Sequence, residues 1–330
     1  MVILMRWAIV GCGLIGQKRA AALRALEHQI VFVTDRAQER ATNLARTTGA
    51  EIAHNWYTLT ERPDIDAIVV ATSHEWLSTI AVAGVNHGKH VLVEKPAGRN
   101  LAEVSAIAAA AVRSSALVKV GYNHRFHPAI QKAREIVDSG EIGKLMYVRG
   151  RYGHGGRIGY EKEWRLHRAI SGGGELLDQG SHLIDLAHWF LGEFTDVRAM
   201  LRTFFWSADV EDNCFLTLAT SGGQVAFLHA TWTEWKNLFS FEIYGHVGKL
   251  VIEGLGGSYG VENLTYYKML PQMGPPETTR WEWPLPDKSW DLEVEEFAAA
   301  ITERRRPIGD INDALLTMSV IDRVYRENPL

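Results

Sequence analysis

Short runs rich in apolar and β-branched residues recur along the first third of the chain: Trp7 to Val10, Ile30 to Thr34, Ala67 to Ala71, His90 to Val93 and Leu117 to Val120. They are nearly continuous rather than alternating, the pattern of strands buried on both faces. Between them lie segments such as Glu39 to Arg46 and Leu101 to Val112, in which apolar residues recur at helical spacing. Strand-helix alternation of this kind predicts a doubly wound α/β domain around a parallel sheet. After Tyr122-Asn123-His124-Arg125-Phe126 the pattern changes to longer strand candidates, among them Leu145 to Tyr152, Phe215 to Ala219, Val225 to Trp232 and Phe239 to Tyr244. Ser221-Gly222-Gly223 reads as a hairpin turn between two of them. Helices are expected near Leu176 to Leu191, Asp291 to Arg304 and Asn312 to Arg326. Together these predict an α+β domain on a largely antiparallel or mixed sheet, with residues 1–122 as the first domain and 123–330 as the second.

Composition agrees with two domains, since a chain of 330 residues with 46% hydrophobic and 22% charged residues exceeds what one core usually organises. A formal net charge of -4 argues against a nucleic-acid partner and towards small molecules. Two cysteines, Cys12 and Cys214, build neither a disulfide scaffold nor a Cys-rich zinc site, and a reducing cytoplasm is the expected compartment. The start, Met-Val-Ile-Leu-Met-Arg-Trp, runs directly into a strand pattern without the features of a secretory leader, and no apolar run approaches a membrane span. The expectation is a mature, soluble chain.

The first candidate chemistry follows the first strand. Gly11-Cys12-Gly13-Leu14-Ile15-Gly16 opens the helical pattern Leu14 to Leu26, the setting of a dinucleotide-binding loop. Its first glycine permits a tight turn, its second a close approach of backbone to pyrophosphate, and its third close packing of helix on sheet. Asp35 ends the second strand, about 20 residues beyond the loop, where a carboxylate accepts hydrogen bonds from the adenosine ribose. That charge favours NAD over NADP, although the neighbouring Arg36 is able to attract a ribose phosphate. The first domain is therefore read as a Rossmann dinucleotide-binding domain.

Glu94-Lys95-Pro96 sits at the carboxyl end of a predicted strand, the edge at which such sheets place ligands. A lysine there can stabilise negative charge developing on a substrate oxygen. Further along, Gly172-Gly173-Gly174 leads into a helical segment with Asp178 and His182 four apart, hence on one face. An imidazole titrates near working pH and can take a hydroxyl proton, and a nearby carboxylate raises its basicity. A surface ion pair or a packed core histidine are the alternatives from the residues alone. Asp185 and His188 on the same segment invite a metal reading, but the remaining ligands would have to come from unrelated parts of the chain, so no metal is expected.

In combination and in this order, the glycine loop, Asp35, Glu94-Lys95-Pro96, Asn123-His124-Arg125-Phe126, Trp164-Arg165 and Gly-Gly-Gly with Asp178 and His182 resemble the glucose-fructose oxidoreductase / inositol dehydrogenase / rhizopine catabolism (Gfo/Idh/MocA) family. The resemblance runs to about residue 192. It implies an NAD(P)-dependent oxidoreductase moving hydride between nicotinamide and a secondary hydroxyl or ketone of a sugar, sugar acid, nucleotide sugar or cyclitol. It implies Lys95, Asp178 and His182 as the catalytic group, and Gly11, Gly13, Leu14, Ile15, Gly16, Asp35 and Arg36 on the cofactor. Thr72, Ser73 and His74 would meet the nicotinamide side and Glu94 the ribose nearby, with Lys95, Asn123, Trp164 and Arg165 also in the cofactor set. Arg125 joins the substrate-binding group, and the second domain would carry an open sheet used for oligomerisation.

The segment Arg149 to Arg168 carries Arg149, Arg151, Arg157, Lys162, Arg165 and Arg168 against Glu161 and Glu163, enough to clamp an anionic sugar through Arg157 and Arg165. A solvated loop or an oligomer contact is the alternative. Phe227, Trp232, Trp235 and Phe239 supply aromatic area for a homodimer or homotetramer, or else a monomer core. Competing enzyme classes fare worse: no tyrosine is followed by lysine in the Tyr-x-x-x-Lys spacing of short-chain dehydrogenases, and two scattered cysteines do not suit a zinc alcohol dehydrogenase. A non-catalytic dinucleotide-binding sensor on the same scaffold is the rival reading, and it has no need of Lys95 and His182.

Overall fold

The computed structural model describes residues 4–284 and 286–328; Met1 to Ile3 of the amino-terminal run lie outside that range. The residues group into two compact units, and the grouping is discontinuous along the chain. The first comprises residues up to Tyr122, Ala169–Gly172 and Trp290–Met318; the second comprises Asn123–Arg168, Gly173–Ser289 and the residues from Ser319 onward.

In the first unit, β1 (Arg6–Val10), β2 (Gln29–Thr34), β3 (Glu51–Ile52), β4 (Ala67–Val70), β5 (His90–Val93) and β6 (Val118–Val120) form one sheet in the order β3-β2-β1-β4-β5-β6. Every pairing in it is parallel. The helices α1 (Leu14–Ala25), α2 (Gln38–Thr48), α3 (Trp56–Glu61), α4 (His74–Asn86) and α5 (Leu101–Val112) make the crossovers. β1 and β4 are neighbours although three crossovers separate them in sequence, so the order reverses there. At such a switch point the loops leaving the two strand ends diverge and open a crevice for ligand.

The five apolar runs became five strands because their side chains are buried on both faces, as in Trp7, Ile9, Val69 and Leu92. β3 has two residues, too few to show a period. The first unit also holds a helix from far along the chain. Val294, Phe297 and Ala298 share one buried cluster with Trp7, Leu23 and Val33, and Phe297 meets the Trp7 ring edge-on at 6.1 Å. These residues lie beyond 123–330's expected boundary at 122, where a reading of the chain in sequence order put them in the second domain; long-range apolar packing decides their grouping.

The second unit begins with a 3-10 turn (Asn123–Phe126) and α6 (Pro128–Asp138), followed by β7 (Leu145–Gly153). After the short α7 (Arg168–Ser171), which straddles the two units, come a π-helical turn (Leu176–Gly180) and α8 (Ser181–Leu191). Then follow β8 (Phe194–Arg202), β9 (Asn213–Thr220), β10 (Val225–Thr231), β11 (Leu238–Gly245), β12 (Gly248–Glu253), β13 (Glu262–Lys268) and β14 (Glu277–Trp283). The eight strands form one sheet, β14-β13-β12-β11-β7-β10-β9-β8, antiparallel except for the parallel pair β7 and β10. Ser221 to Gln224 turn between β9 and β10, with Gly223 at a left-handed φ of 86°. α9 (Ser289–Glu303) and α10 (Ile311–Glu327) close the chain.

α8 lies on β7 and β10. A β carbon at Gly150 would stand 3.0 Å from Leu183 and 3.1 Å from Leu228 and Phe241, so the bare backbone sets how closely the helix packs. Of the four aromatic residues proposed for an interface, Trp232 and Phe239 are interior, whereas Phe227 and Trp235 are 51% and 64% exposed. Trp232 packs with Tyr160, Leu166 and Val210 in a small core of its own. No helix among the described residues is long and apolar enough to cross a membrane.

Candidate active site

The three glycines of the loop have distinct physical roles. Gly11 has φ of 100°, donates its N–H to the Thr34 carbonyl, and would put a β carbon 2.3 Å from the Ala71 carbonyl oxygen. A β carbon at Gly16 would fall 1.9 Å from the Gly11 carbonyl oxygen. Both positions are therefore closed by backbone. At Gly13, by contrast, the nearest atom to such a carbon is Arg40 Nη1 at 3.9 Å. Gly13 also stands at the start of α1 with no side chain capping it. Open space over uncapped N–H groups at a helix N-terminus suits a pyrophosphate, and the loop passes this test for a dinucleotide.

Asp35 accepts from the Cys12 N–H through Oδ2 and from the Ala37 N–H through Oδ1, each at 2.7 Å. The carboxylate thus ties the loop to the end of β2, and its remaining lone pairs are what a ribose hydroxyl would use. Leu14 and Arg36 are exposed and Ile15 half-buried. Cys12 is buried, and burial first, then the Asp35 charge, pushes its thiol up to about 12, so it is no nucleophile.

Thr72, Ser73 and His74 follow β4 at the start of α4. Thr72 Oγ1 donates to the Ser73 carbonyl and Ser73 Oγ to Glu75 Oε1, while the buried His74 ring donates from Nδ1 to the Ser171 carbonyl at 2.8 Å. Lys95 is half-buried, just past the end of β5, and its peptide to Pro96 is cis. Glu94, expected at the ribose, carries a buried ion pair: Arg19 Nε donates to its Oε1 at 2.7 Å.

On the second unit, Asp178 lies in the π-helical turn and His182 in the first turn of α8, both buried. A π turn is a frequent mark of a functional segment. Asp178 Oδ2 accepts from Arg165 Nε at 3.0 Å. The His182 ring stacks on His124, centroids 3.7 Å apart and planes 22° from parallel, with Tyr152 edge-on at 6.2 Å. The start of this segment is held by Glu211, whose carboxylate accepts from the N–H groups of Gly174 and Leu176 and from the Tyr325 hydroxyl. Burial pushes the Glu211 carboxyl up, against those hydrogen bonds.

Asn123 is buried and donates to Ser289 Oγ at 3.1 Å. Trp164 lies beneath the Arg165 guanidinium, 4.5 Å from its ring centre. Arg125, placed with the substrate group from the sequence, is buried and grips Asp185 through two hydrogen bonds of 2.8 and 2.7 Å. That fork and the Asp185 carboxylate satisfy each other. Arg157 is paired with Glu163, and Arg165 lies 3.8 Å from Glu163 besides its bond to Asp178. Sequence reading missed Arg19 and Glu211. Arg19 does leave a signal, a charge on the stripe Gly16, Arg19, Ala20, Leu23 that α1 buries.

Residues 5–122 match the family described as an oxidoreductase family with an NAD-binding Rossmann fold, and residues 130–251 match the GFO/IDH/MocA C-terminal domain. The chain belongs to the Gfo/Idh/MocA oxidoreductase family. Its first unit is accordingly an NAD-binding domain, in agreement with the space over Gly13 and the position of Asp35. Among similar proteins of the family, levoglucosan dehydrogenase of Pseudarthrobacter phenanthrenivorans is 29% identical over 64% of this chain and 62% of its own length. The scyllo-inositol 2-dehydrogenase (NAD(+)) of Bacillus subtilis is 26% identical over 96% of this chain and 92% of its own. A solved levoglucosan dehydrogenase, in complex with NADH and levoglucosan, superposes with a TM-score of 0.86 over 97% of this chain and 96% of that one. At 23% identity that likeness concerns the fold.

Proposed function

We propose that this member of the family is an NAD-dependent dehydrogenase that oxidises a secondary hydroxyl of a neutral sugar or cyclitol. The observation that carries the reading is a buried histidine, His182, with a carboxylate four residues before it on one helical segment, in a chain whose other half is a dinucleotide-binding sheet. Bound NAD supplies the hydride acceptor. His182 takes the proton from the substrate hydroxyl oxygen, and the stack on His124 fixes the plane of its ring. Asp178, steadied by Arg165, favours the cationic imidazole that results. Lys95, just past the end of β5, is the group assigned to stabilise negative charge on a substrate oxygen.

The arginines argue for an uncharged substrate. Arg125, Arg149, Arg157 and Arg165 each have a carboxylate partner, so an anionic sugar would have to displace a group already in place. This revises the expectation of a clamp formed by Arg157 and Arg165. The relatives named above take their names from uncharged polyols, which supports the same choice. Measuring NADH formation against levoglucosan, the inositols, uronic acids and nucleotide sugars tests it: turnover is expected with neutral polyols, and a strict preference for anionic ones would refute it.

The same reading includes a homo-oligomer formed through the sheet of the second unit. On one sheet face a patch of side chains is exposed or half-exposed, with Met200 on β8 and Phe227 on β10 about half-exposed and Tyr147 stacked on Tyr244 beside Arg149 and Glu242. Apolar and charged halves on one face suit a self-complementary contact. Both cysteines are free and buried, which fits the cytoplasm as the site of action. Sedimentation at micromolar concentration checks the assembly, and a clean monomer would reject it.

A further inference from the structure

Arg19 is completely buried on α1, the helix that leaves the dinucleotide loop. Its Nε donates to Glu94 Oε1 and its Nη1 to Glu293 Oε2, and the Trp290 ring covers its guanidinium at 4.6 Å. The three partners come from the end of β5 and from α9, all in the first unit. Gly121 completes the chamber: a β carbon there would stand 2.6 Å from Glu94 Oε2 and 2.8 Å from Arg19 Nη2, so only a bare backbone admits the pair.

A buried ion triad is weak evidence of stabilisation, because well-packed apolar side chains of the same volume hold helices and strands together equally well. What a planar guanidinium adds is direction, since its fork fixes where each carboxylate points. Here one of those carboxylates belongs to the residue next to Lys95. The turn that presents the lysine is closed by the Ala97 N–H donating to the Glu94 carbonyl at 2.9 Å, and Ala97 is fully buried with a left-handed φ of 69°. A non-glycine residue in that conformation persists only where its surroundings over-determine it.

We propose that Arg19 is a positioning residue for Lys95: by gripping the Glu94 carboxylate it fixes the turn from Glu94 to Ala97, and with it the lysine, relative to the helix that begins at the dinucleotide loop. The inference rests on the reading of Lys95 as catalytic. It also gives Glu94 a task other than contact with a ribose.

The test compares Arg19→Lys, Glu94→Gln, their double variant and Lys95→Ala in the full chain, using kcat with an accepted polyol, the Kd for NADH by fluorescence titration, and the thermal midpoint. A lysine retains the charge but cannot serve both carboxylates in one plane, and glutamine keeps the shape of Glu94 without its charge. Displacing a catalytic group by about 1 Å typically costs on the order of 100-fold, so each single variant is expected to lose roughly 10- to 100-fold in kcat with the NADH Kd within about twofold of the parent. The double variant should be no worse than the worse single one, because both release the same clamp. If Arg19→Lys does not fold, the isosteric Glu94→Gln carries the test. Parent-like kcat in the folded variants, with Lys95→Ala inactive, would overturn this inference alone. So would a Glu94→Gln variant whose Kd rises many-fold at unchanged kcat, the signature of a ribose ligand. Normal turnover in Lys95→Ala would bring down the reading of the lysine, and the inference with it.

Discussion

Replacing Gly13 with alanine separates cofactor binding from folding. The backbone at Gly13 has φ of -71° and ψ of -167°, which an L-residue adopts freely, and the added methyl meets nothing closer than Arg40 Nη1 at 3.9 Å. A Gly→Ala change gains roughly 0.4–1 kcal/mol through the unfolded chain, and alanine is a poorer N-cap than glycine by a similar amount, so the thermal midpoint of the free protein should stay close to the parent's. The methyl occupies the space reserved for pyrophosphate, and the Kd for NADH is expected to rise at least about tenfold, or ~1.4 kcal/mol. At a ligand concentration about 100 times the parent Kd, the stabilisation by NADH would fall from ~2.7 to ~1.4 kcal/mol, which a pair of melting curves resolves. Gly16→Ala is the contrast, since its β carbon would fall 1.9 Å from the Gly11 carbonyl oxygen and must shift the loop itself; it should lower the midpoint without ligand. Parent-like NADH affinity in Gly13→Ala would refute the reasoning.

Other consequences are as direct. Arg125→Ala leaves the Asp185 carboxylate buried without its fork, and breaking such a pair typically costs about 3–5 kcal/mol, visible as a lower denaturation midpoint; a change under about 1 kcal/mol would count against a structural role. Arg157→Ala, by contrast, should alter KM for neutral and anionic sugars alike, and a selective loss for anionic ones would restore the clamp. Burial holds His28, His90, His154 and His229 below the ordinary imidazole range, His154 despite the Asp178 charge. The unfolded chain therefore binds more protons than the folded one below about pH 6.5, and stability should be full above that pH and fall as pH drops through it. Flat stability between pH 7.5 and 5.5 would contradict this.

The parallel sheet was legible because each of its strands but β3 lies in a mostly apolar run, and the glycine loop because its chemistry is local. β3 escaped because two residues show no period, and β14 because most of its residues are exposed, leaving no apolar face to read. Contacts over long separations were the harder part. Arg125 and Asp185 are 60 residues apart, Arg19 and Glu293 are 274 apart, and nothing local announces either pairing. The basic loop is a similar case: counting charges shows the arginines and the nearby glutamates, whereas which carboxylate each arginine pairs with, Glu163 for Arg157 and Asp178 for Arg165, emerges only in three dimensions. Asp178 and His182 stood out because they lie four apart in one short helical segment of the sequence.

The most direct test of the central claim is the turnover of His182→Ala with NAD and an accepted polyol, measured beside its affinity for NADH. The account predicts a kcat lower by about 10²- to 10⁴-fold, the usual loss on removing a positioned acid-base group, with cofactor affinity retained. A kcat near that of the parent, in a variant that folds and binds NADH normally, would contradict it.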